Sequence, residues 1–331
     1  MPLPKGFCIQ EVIDSDRADV LEVLDQVFSI AQRTKEILRG PELWDWKYRK
    51  SIFGHAVVHA IRSDQQVAAV GCLWPLTLRW KGELLTALQP CDTAVHPDFR
   101  GQGLFRYLNE ERKLTAERLG ADLLFNFPNA NSLRGYVRSG WSFVGKVPWM
   151  VRILKPFLVL KARFHSEKSM PLNVPSDVRL YVGDFSRFES NSDEVFGSVS
   201  VARLPGYFNW RFCDHPNRQY GVVESSGGGF AVFTLAKTPS GLVEFVVTDM
   251  SAQSSDFNSL LKELVKYAKA MDASFIAMMK PRGCDLKTLF RNGFFQKFEK
   301  NLTVLTRTDA LKGQLEALDR WDLRASMHDS I

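Results

Sequence analysis

The chain has 331 residues, 45% apolar, 24% charged and 12% aromatic, with a formal net charge of +6 and a pI of about 9.0. At roughly 150 residues per domain that is two domains of ordinary globular composition, which excludes disordered, collagen-like and coiled-coil chains. No run approaches the roughly 18 apolar residues of a membrane span.

The elements follow in chain order. A short apolar strand, Phe7-Cys8-Ile9, leads into a helix whose residues Val20, Leu21, Leu24, Val27 and Phe28 share one face. Pro41 opens an aromatic segment, Trp44-Asp45-Trp46-Lys47-Tyr48. Strands are predicted over 55–61, 67–74, 76–80 and 84–95, with turns at Ser63-Asp64-Gln65-Gln66 and Lys81-Gly82. Arg100-Gly101-Gln102-Gly103 opens a helix running to Leu119. A buried strand over 121–127, a short helix ending at Gly140-Trp141, and strand-like residues to Leu160 complete this half. Residues 161–178 are polar and basic with two prolines and read as a linker. The same order then returns: a short helix, an aromatic segment, strands, a helix near 260–271, a strand over 274–279 and a Gly-Phe ending. Residues 309–331 read as a short helix and a polar tail.

This recurrence is an internal repeat. Pro41–Tyr48 lies on Pro205–Phe212 at an offset of 164, so that Pro, Trp46 with Trp210, a basic residue and a ring coincide. Pro128 meets Pro281 and Gly140 meets Gly293 at an offset of 153. Residues 1–160 and 178–308 are therefore read as two copies of one fold, with 309–331 appended. The charge divides unevenly between them. Residues 1–165 carry 23 Lys+Arg and 17 Asp+Glu, whereas residues 166–331 carry 20 of each.

The most informative segment is Val95-His96-Pro97-Asp98-Phe99-Arg100-Gly101-Gln102-Gly103-Leu104-Phe105, which joins an apolar strand to a helix. Glycine lets backbone approach a ligand closely, and the free amides of a helix N-terminus attract anions. A pyrophosphate cradle is one reading and a plain glycine turn is the other. The Rossmann and P-loop patterns are both absent. About 25 residues on come Phe127-Pro128-Asn129 and then Tyr136-Val137-Arg138-Ser139-Gly140-Trp141.

Together these segments resemble the GNAT superfamily of CoA-dependent N-acyltransferases. That family carries Gln/Arg-x-x-Gly-x-Gly/Ala after its fourth strand, then an Asn and a Tyr-x-x-x-Gly-Phe after its fifth. Arg100-x-x-Gly103 matches the first motif, with Phe105 where Gly or Ala is usual. Asn129 and Tyr136 match the second, with Trp141 in place of Phe. Phe105 is expected to point into the core and to leave the loop amides usable.

The resemblance implies an α/β fold with a mixed sheet, in two tandem GNAT-like copies. It implies acetyl-CoA or another acyl-CoA as donor and a small-molecule amine as acceptor. The backbone of Arg100, Gly101, Gln102, Gly103, Leu104 and Phe105 would hold the pyrophosphate. Ala94 and Val95 would bind pantetheine and polarise the thioester carbonyl, and Asn129 would bind the pantetheine arm or order its loop. Tyr136 would protonate the departing thiolate; a packed helix tyrosine is the competing reading. Asp92 is the first candidate for the base that deprotonates the amine, ahead of His96 and Glu83. A structural role for Asp92 stands beside it, since Asp92 falls on Asp249 in the repeat.

The second copy reads as disarmed. Leu289 stands at the place of Tyr136, Arg282 at the place of Asn129, and no glycine occurs in Ser251–Phe257. Asp256 there is expected to repel a pyrophosphate at the helix start. A CoA-binding sensor or scaffold without catalysis is the alternative function. The basic residues are dispersed, so no nucleic-acid surface is expected. No metal site, membrane partner or secretory leader is read. The five cysteines are odd in number, with no Cys-x-x-Cys and no zinc pattern, and a reducing cytoplasm fits them.

Overall fold

The computed structural model describes residues 3–32, 40–64, 66–162, 184–189 and 197–328. The linker expected over 161–178 lies outside them from residue 163 on. The first stretch runs β1 (Phe7–Glu11), α1 (Arg17–Gln32), α2 (Pro41–Trp44), β2 (Val57–Ser63), β3 (Gln66–Trp80), β4 (Glu83–Val95), α3 (Leu104–Arg118), β5 (Leu123–Asn126), α4 (Ala130–Arg138) and β6 (Ser142–Ile153). It continues through α5 (Pro156–Ala162), β7 (Ser200–Val201), β8 (Gly221–Glu224), β9 (Phe230–Lys237), β10 (Val243–Ser251), α6 (Phe257–Ala270), β11 (Phe275–Met279), α7 (Leu286–Arg291), β12 (Phe295–Thr306) and α8 (Asp309–Leu315). Among the described residues no helix is long and apolar enough to cross a membrane.

The chain forms two compact units: residues 1–145 with 301–320, and residues 146–300 with 321–331. The units are thus not the contiguous blocks 1–160 and 178–308. In the first unit β1 to β4 form an antiparallel meander, β5 joins β4 in parallel, and residues 303–306 of β12 close the sheet antiparallel to β5. In the second, β8 to β10 form the meander, β11 joins β10 in parallel, and residues 149–153 of β6 close the sheet antiparallel to β11. Each sheet therefore takes its closing strand from a distant part of the sequence. A boundary drawn by composition misses this, because β6 and β12 are unbroken 12-residue strands.

Two predicted elements differ. The strands expected over 67–74 and 76–80 are one strand, β3, running through Pro75. The β2–β3 ladder ends at Val57↔Leu73, so the N–H that Pro75 lacks falls beyond it. The strand-like residues after Ile153 instead form α5, opening on Pro156 at the first helical turn.

The first unit's core lies where α3 and α4 cover the sheet. Leu104 and Leu108 pack with Ile61, Ala68 and Ala69, while Ala116, Tyr136 and Trp141 pack with Leu73, Leu88 and Leu124. The aromatic segments fold alike in both units. Asp45–Arg49 and Asn209–Cys213 are each one π-helical turn, a local widening common at functional or specialised positions. Trp44, Trp46, Trp210 and Phe212 are all buried.

Candidate active site

β4 carries a bulge opposite Gly71. Val70 pairs with Ala94 and Cys72 with Cys91, so Asp92 and Thr93 together face one residue of β3. Asp92 has a φ of 41°, a left-handed conformation unusual for a residue with a Cβ. Its carboxylate explains how this conformation is held. Oδ2 accepts from Lys47 Nζ at 2.5 Å and from the Tyr48 hydroxyl at 2.5 Å, all three groups being buried. Both donors come from the π-helical turn, which sets consecutive side chains onto one acceptor. The candidate base is thus an ion-paired anchor of the bulge. The second unit repeats the placement: Asp249 lies at a β10 bulge, bound by Arg203, by Arg324 at 3.0 Å and by Ser326 at 2.9 Å.

Below the bulge the sheet forks. β4 and β5 pair at Ala87↔Leu123 and Leu88↔Leu124, and their ladder ends there. Ala94 is buried and Val95 half-buried on the β4 arm. The Tyr136 hydroxyl lies at this fork, beside the side chains of Asn126 on β5 and Thr93 in the bulge. The Tyr136 ring is buried, edge-on to Phe105 at 5.5 Å and to Trp141 at 4.9 Å. Burial pushes its pKa above the usual phenol value, while Arg112, Asn126 and Thr93 pull the other way. The hydroxyl therefore keeps its proton at neutral pH.

The glycine loop leads from β4 to α3. Gly101 and Gly103 have φ of 81° and 74°, with open space where a Cβ would stand, a backbone that glycine adopts without strain. Among the described residues the amides of Gly101, Gln102, Gly103, Leu104 and Phe105 donate to no acceptor, and α3 has no side-chain cap. A 15-residue helix thus presents its positive end at an exposed loop. The Arg100 amide is the exception: it donates to the Pro97 carbonyl at 3.3 Å, leaving this residue its exposed guanidinium. Phe105 is half-buried and packs on the core cluster of Tyr136, as the sequence led us to expect. Asn129 caps α4, its Oδ1 accepting from the amides of Asn131 and Ser132 at 3.0 Å each.

The fork holds residues that sequence reasoning missed. Thr93 and Asn126 are two, and Arg112 is the third. Arg112 is 1% exposed. Its position was legible in principle, since it follows Leu104 and Leu108 at helical spacing on the buried stripe of α3. His59 hydrogen-bonds Thr115 at 3.1 Å, and burial with Arg112 and Arg118 nearby lowers its pKa to about 4. Among the described residues one set of three metal-type ligands converges, Cys72, Cys91 and Asp92. The Lys47 ammonium on Asp92 opposes a cation there.

In the second unit the β10–β11 ladder likewise ends at Val247↔Met278. Leu289 is buried where the tyrosine would stand. Asp256 stands at the N-cap position of α6. Its carboxylate accepts from Ser225 and from the Gly229 amide at 2.9 Å, tying α6 to the β8–β9 hairpin.

Residues 9–144 match the family model of the acetyltransferase (GNAT) domain. The first unit carries a GNAT domain. Solved structures of similar fold include a conserved protein of unknown function from Enterococcus faecalis V583, 12% identical with a TM-score of 0.62, covering 91% of this chain and 72% of that one. A GCN5-related N-acetyltransferase from Anabaena variabilis is 12% identical with a TM-score of 0.60, covering 90% of this chain and 72% of that one. The N-myristoyltransferase of Saccharomyces cerevisiae with bound myristoyl-CoA is 12% identical with a TM-score of 0.57, covering 92% and 84%. No curated protein sequence matches the chain. The fork, the glycine loop and Tyr136 all fall inside the span of the GNAT domain match.

Proposed function

We propose that the chain is an acyl-CoA-dependent N-acyltransferase, and specifically an N-acetyltransferase that moves an acetyl group from acetyl-CoA to a primary amine of a small molecule. The observation that carries this reading is the buried Tyr136 beside Thr93 and Asn126 at the fork of β4 and β5. The donor supplies a thioester and an anionic pyrophosphate. The unpartnered amides of residues 101–105 fit the pyrophosphate, and the Arg100 guanidinium adds charge. The parted strands admit the pantetheine arm, with the Ala94 and Val95 backbone along one side. Asn129 caps α4 and so fixes the helix that carries Tyr136.

The amine attacks the thioester carbon directly in a ternary complex. Tyr136, protonated at neutral pH, gives its proton to the leaving sulfur. Asp92 keeps the bulge in place through Lys47 and Tyr48, and the amine proton leaves to solvent. The two units are copies of one fold, of which the second has lost the tyrosine and the glycine loop and keeps the buried bulge aspartate. Five free cysteines accord with a reducing cytoplasm.

The test is a screen of primary amines with acetyl-CoA, following free thiol release by the full-length protein. Amine-dependent release at a rate above background supports the reading. Absence of CoA binding by calorimetry removes it.

A further inference from the structure

Arg112 is a buried cation without a carboxylate partner. Among the described residues it forms no ion pair. Its Nη2 donates to the Cys91 carbonyl at 3.2 Å and to Thr93 Oγ1 at 2.7 Å, and Nη1 donates to Asn109 at 3.3 Å. Nε has no partner. A buried, uncompensated guanidinium is costly, and a fold tolerates one where a negative charge develops. The opposite strand makes room for it: a Cβ on Gly71 would fall 2.8 Å from Arg112 Cζ. Thr93, which receives Nη2, lies beside Tyr136 at the fork.

We propose that Arg112 is a positioning residue for Tyr136, holding the bulge and Thr93 against the phenol and supplying the positive charge that stabilises the phenolate left after proton transfer. The proposal rests on the acyl-transfer reading above. In that step the amine nitrogen forms a bond to the acyl carbon and the carbon–sulfur bond breaks. Sulfur keeps the electron pair and takes the Tyr136 proton, the product nitrogen loses one proton to water, and the phenolate regains one from water. No other reactant is needed. The charged and titratable groups around Tyr136 are Arg112 on α3 and Cys91 on β4; His59 on β2 faces Arg112 as well.

The experiment uses the full-length protein with Arg112→Gln, Arg112→Lys and Gly71→Ala. For Arg112→Gln, kcat is expected to fall about tenfold, and the alkaline limb of its pH profile to move up by about one unit. CoA affinity by calorimetry should stay within about twofold, since the loop amides are untouched. Arg112→Lys keeps the charge and should restore the limb. A folded Arg112→Gln protein with parental kcat and pH profile overturns the proposal. If that variant does not fold, Gly71→Ala decides, because it displaces the guanidinium and should move the limb the same way. One readout is independent of catalysis. The phenolate absorbance that Tyr136→Phe removes should appear at higher pH in Arg112→Gln, and equal midpoints overturn the coupling. Failure of the parent to bind CoA would instead overturn the acyl-transfer reading alone.

Discussion

Phe105 fits at the start of α3 because residue 135 is glycine: a Cβ there would fall 2.7 Å from Phe105 Cε1. The bulky residue in the loop motif and the missing side chain on α4 are one arrangement. Gly135→Ala is therefore expected to push the Phe105 ring off its site and disturb the first turn of α3. The cost should be about 1–3 kcal/mol, the usual range for overpacking, with weaker CoA binding. The double variant Gly135→Ala/Phe105→Ala should recover the binding. Urea denaturation and calorimetry measure both effects.

Tyr136→Phe removes the proposed acid and keeps the ring packing against Phe105 and Trp141. Thiol release is expected to fall by about two orders of magnitude or more, with CoA affinity and thermal midpoint close to parental. Unaltered transfer rates would remove Tyr136 from the mechanism.

The Lys47–Asp92 pair is buried on both sides, at 7% side-chain exposure each. Removing one partner leaves the other charge buried. Lys47→Met should therefore destabilise by about 3–5 kcal/mol. The double variant Lys47→Met/Asp92→Asn should cost less than Lys47→Met alone. Equal losses in the single and double variants, by denaturant titration, would show that the pair does not act as a unit.

His59 gives the first unit a pH dependence. Its folded pKa, about 4, lies below its ordinary 6.5, because burial and then Arg112 and Arg118 disfavour the cation. A lowered histidine pKa means that the stability it contributes is present above pH 6.5 and is lost as pH falls toward 4. The full effect is about 3 kcal/mol at 1.36 kcal/mol per unit. His59→Gln should flatten the fall in unfolding free energy between pH 6.5 and 4.5. A parental slope in that variant assigns the acid loss to other groups.

Much of the fold was legible because its signals are local. Apolar spacing located α1, α3 and α6, and the coincidence of Trp46 with Trp210 marked two segments that fold into similar π-helical turns. Gly101, Gly103, Asn129 and Tyr136 stood out because each sits at or just after a strand–helix junction with a fixed spacing. What was not legible depends on non-local pairing. Nothing near Asp92 in sequence says that Lys47 and Tyr48 will bind it, 45 and 44 residues away. Asp256 is a helix-end charge, as the sequence suggests, but its partners Ser225 and Gly229 lie 31 and 27 residues away. The crossing of β6 and β12 is set by which strand edge each one meets, and the local pattern of a strand is the same on either edge.

That crossing constrains how the protein is made. β5, which carries Asn126 of the fork, pairs with Thr303–Thr306, so this edge of it stays unpaired by β12 until residues 303–306 have left the ribosome. The first unit's sheet is therefore completed only by residues far beyond its motifs, which all lie before residue 145. A fragment ending near residue 160 would expose an apolar strand edge where the native sheet is closed. Selection on the second unit thus need not concern any ligand of its own, because the second half of the gene supplies the last strand of the first unit.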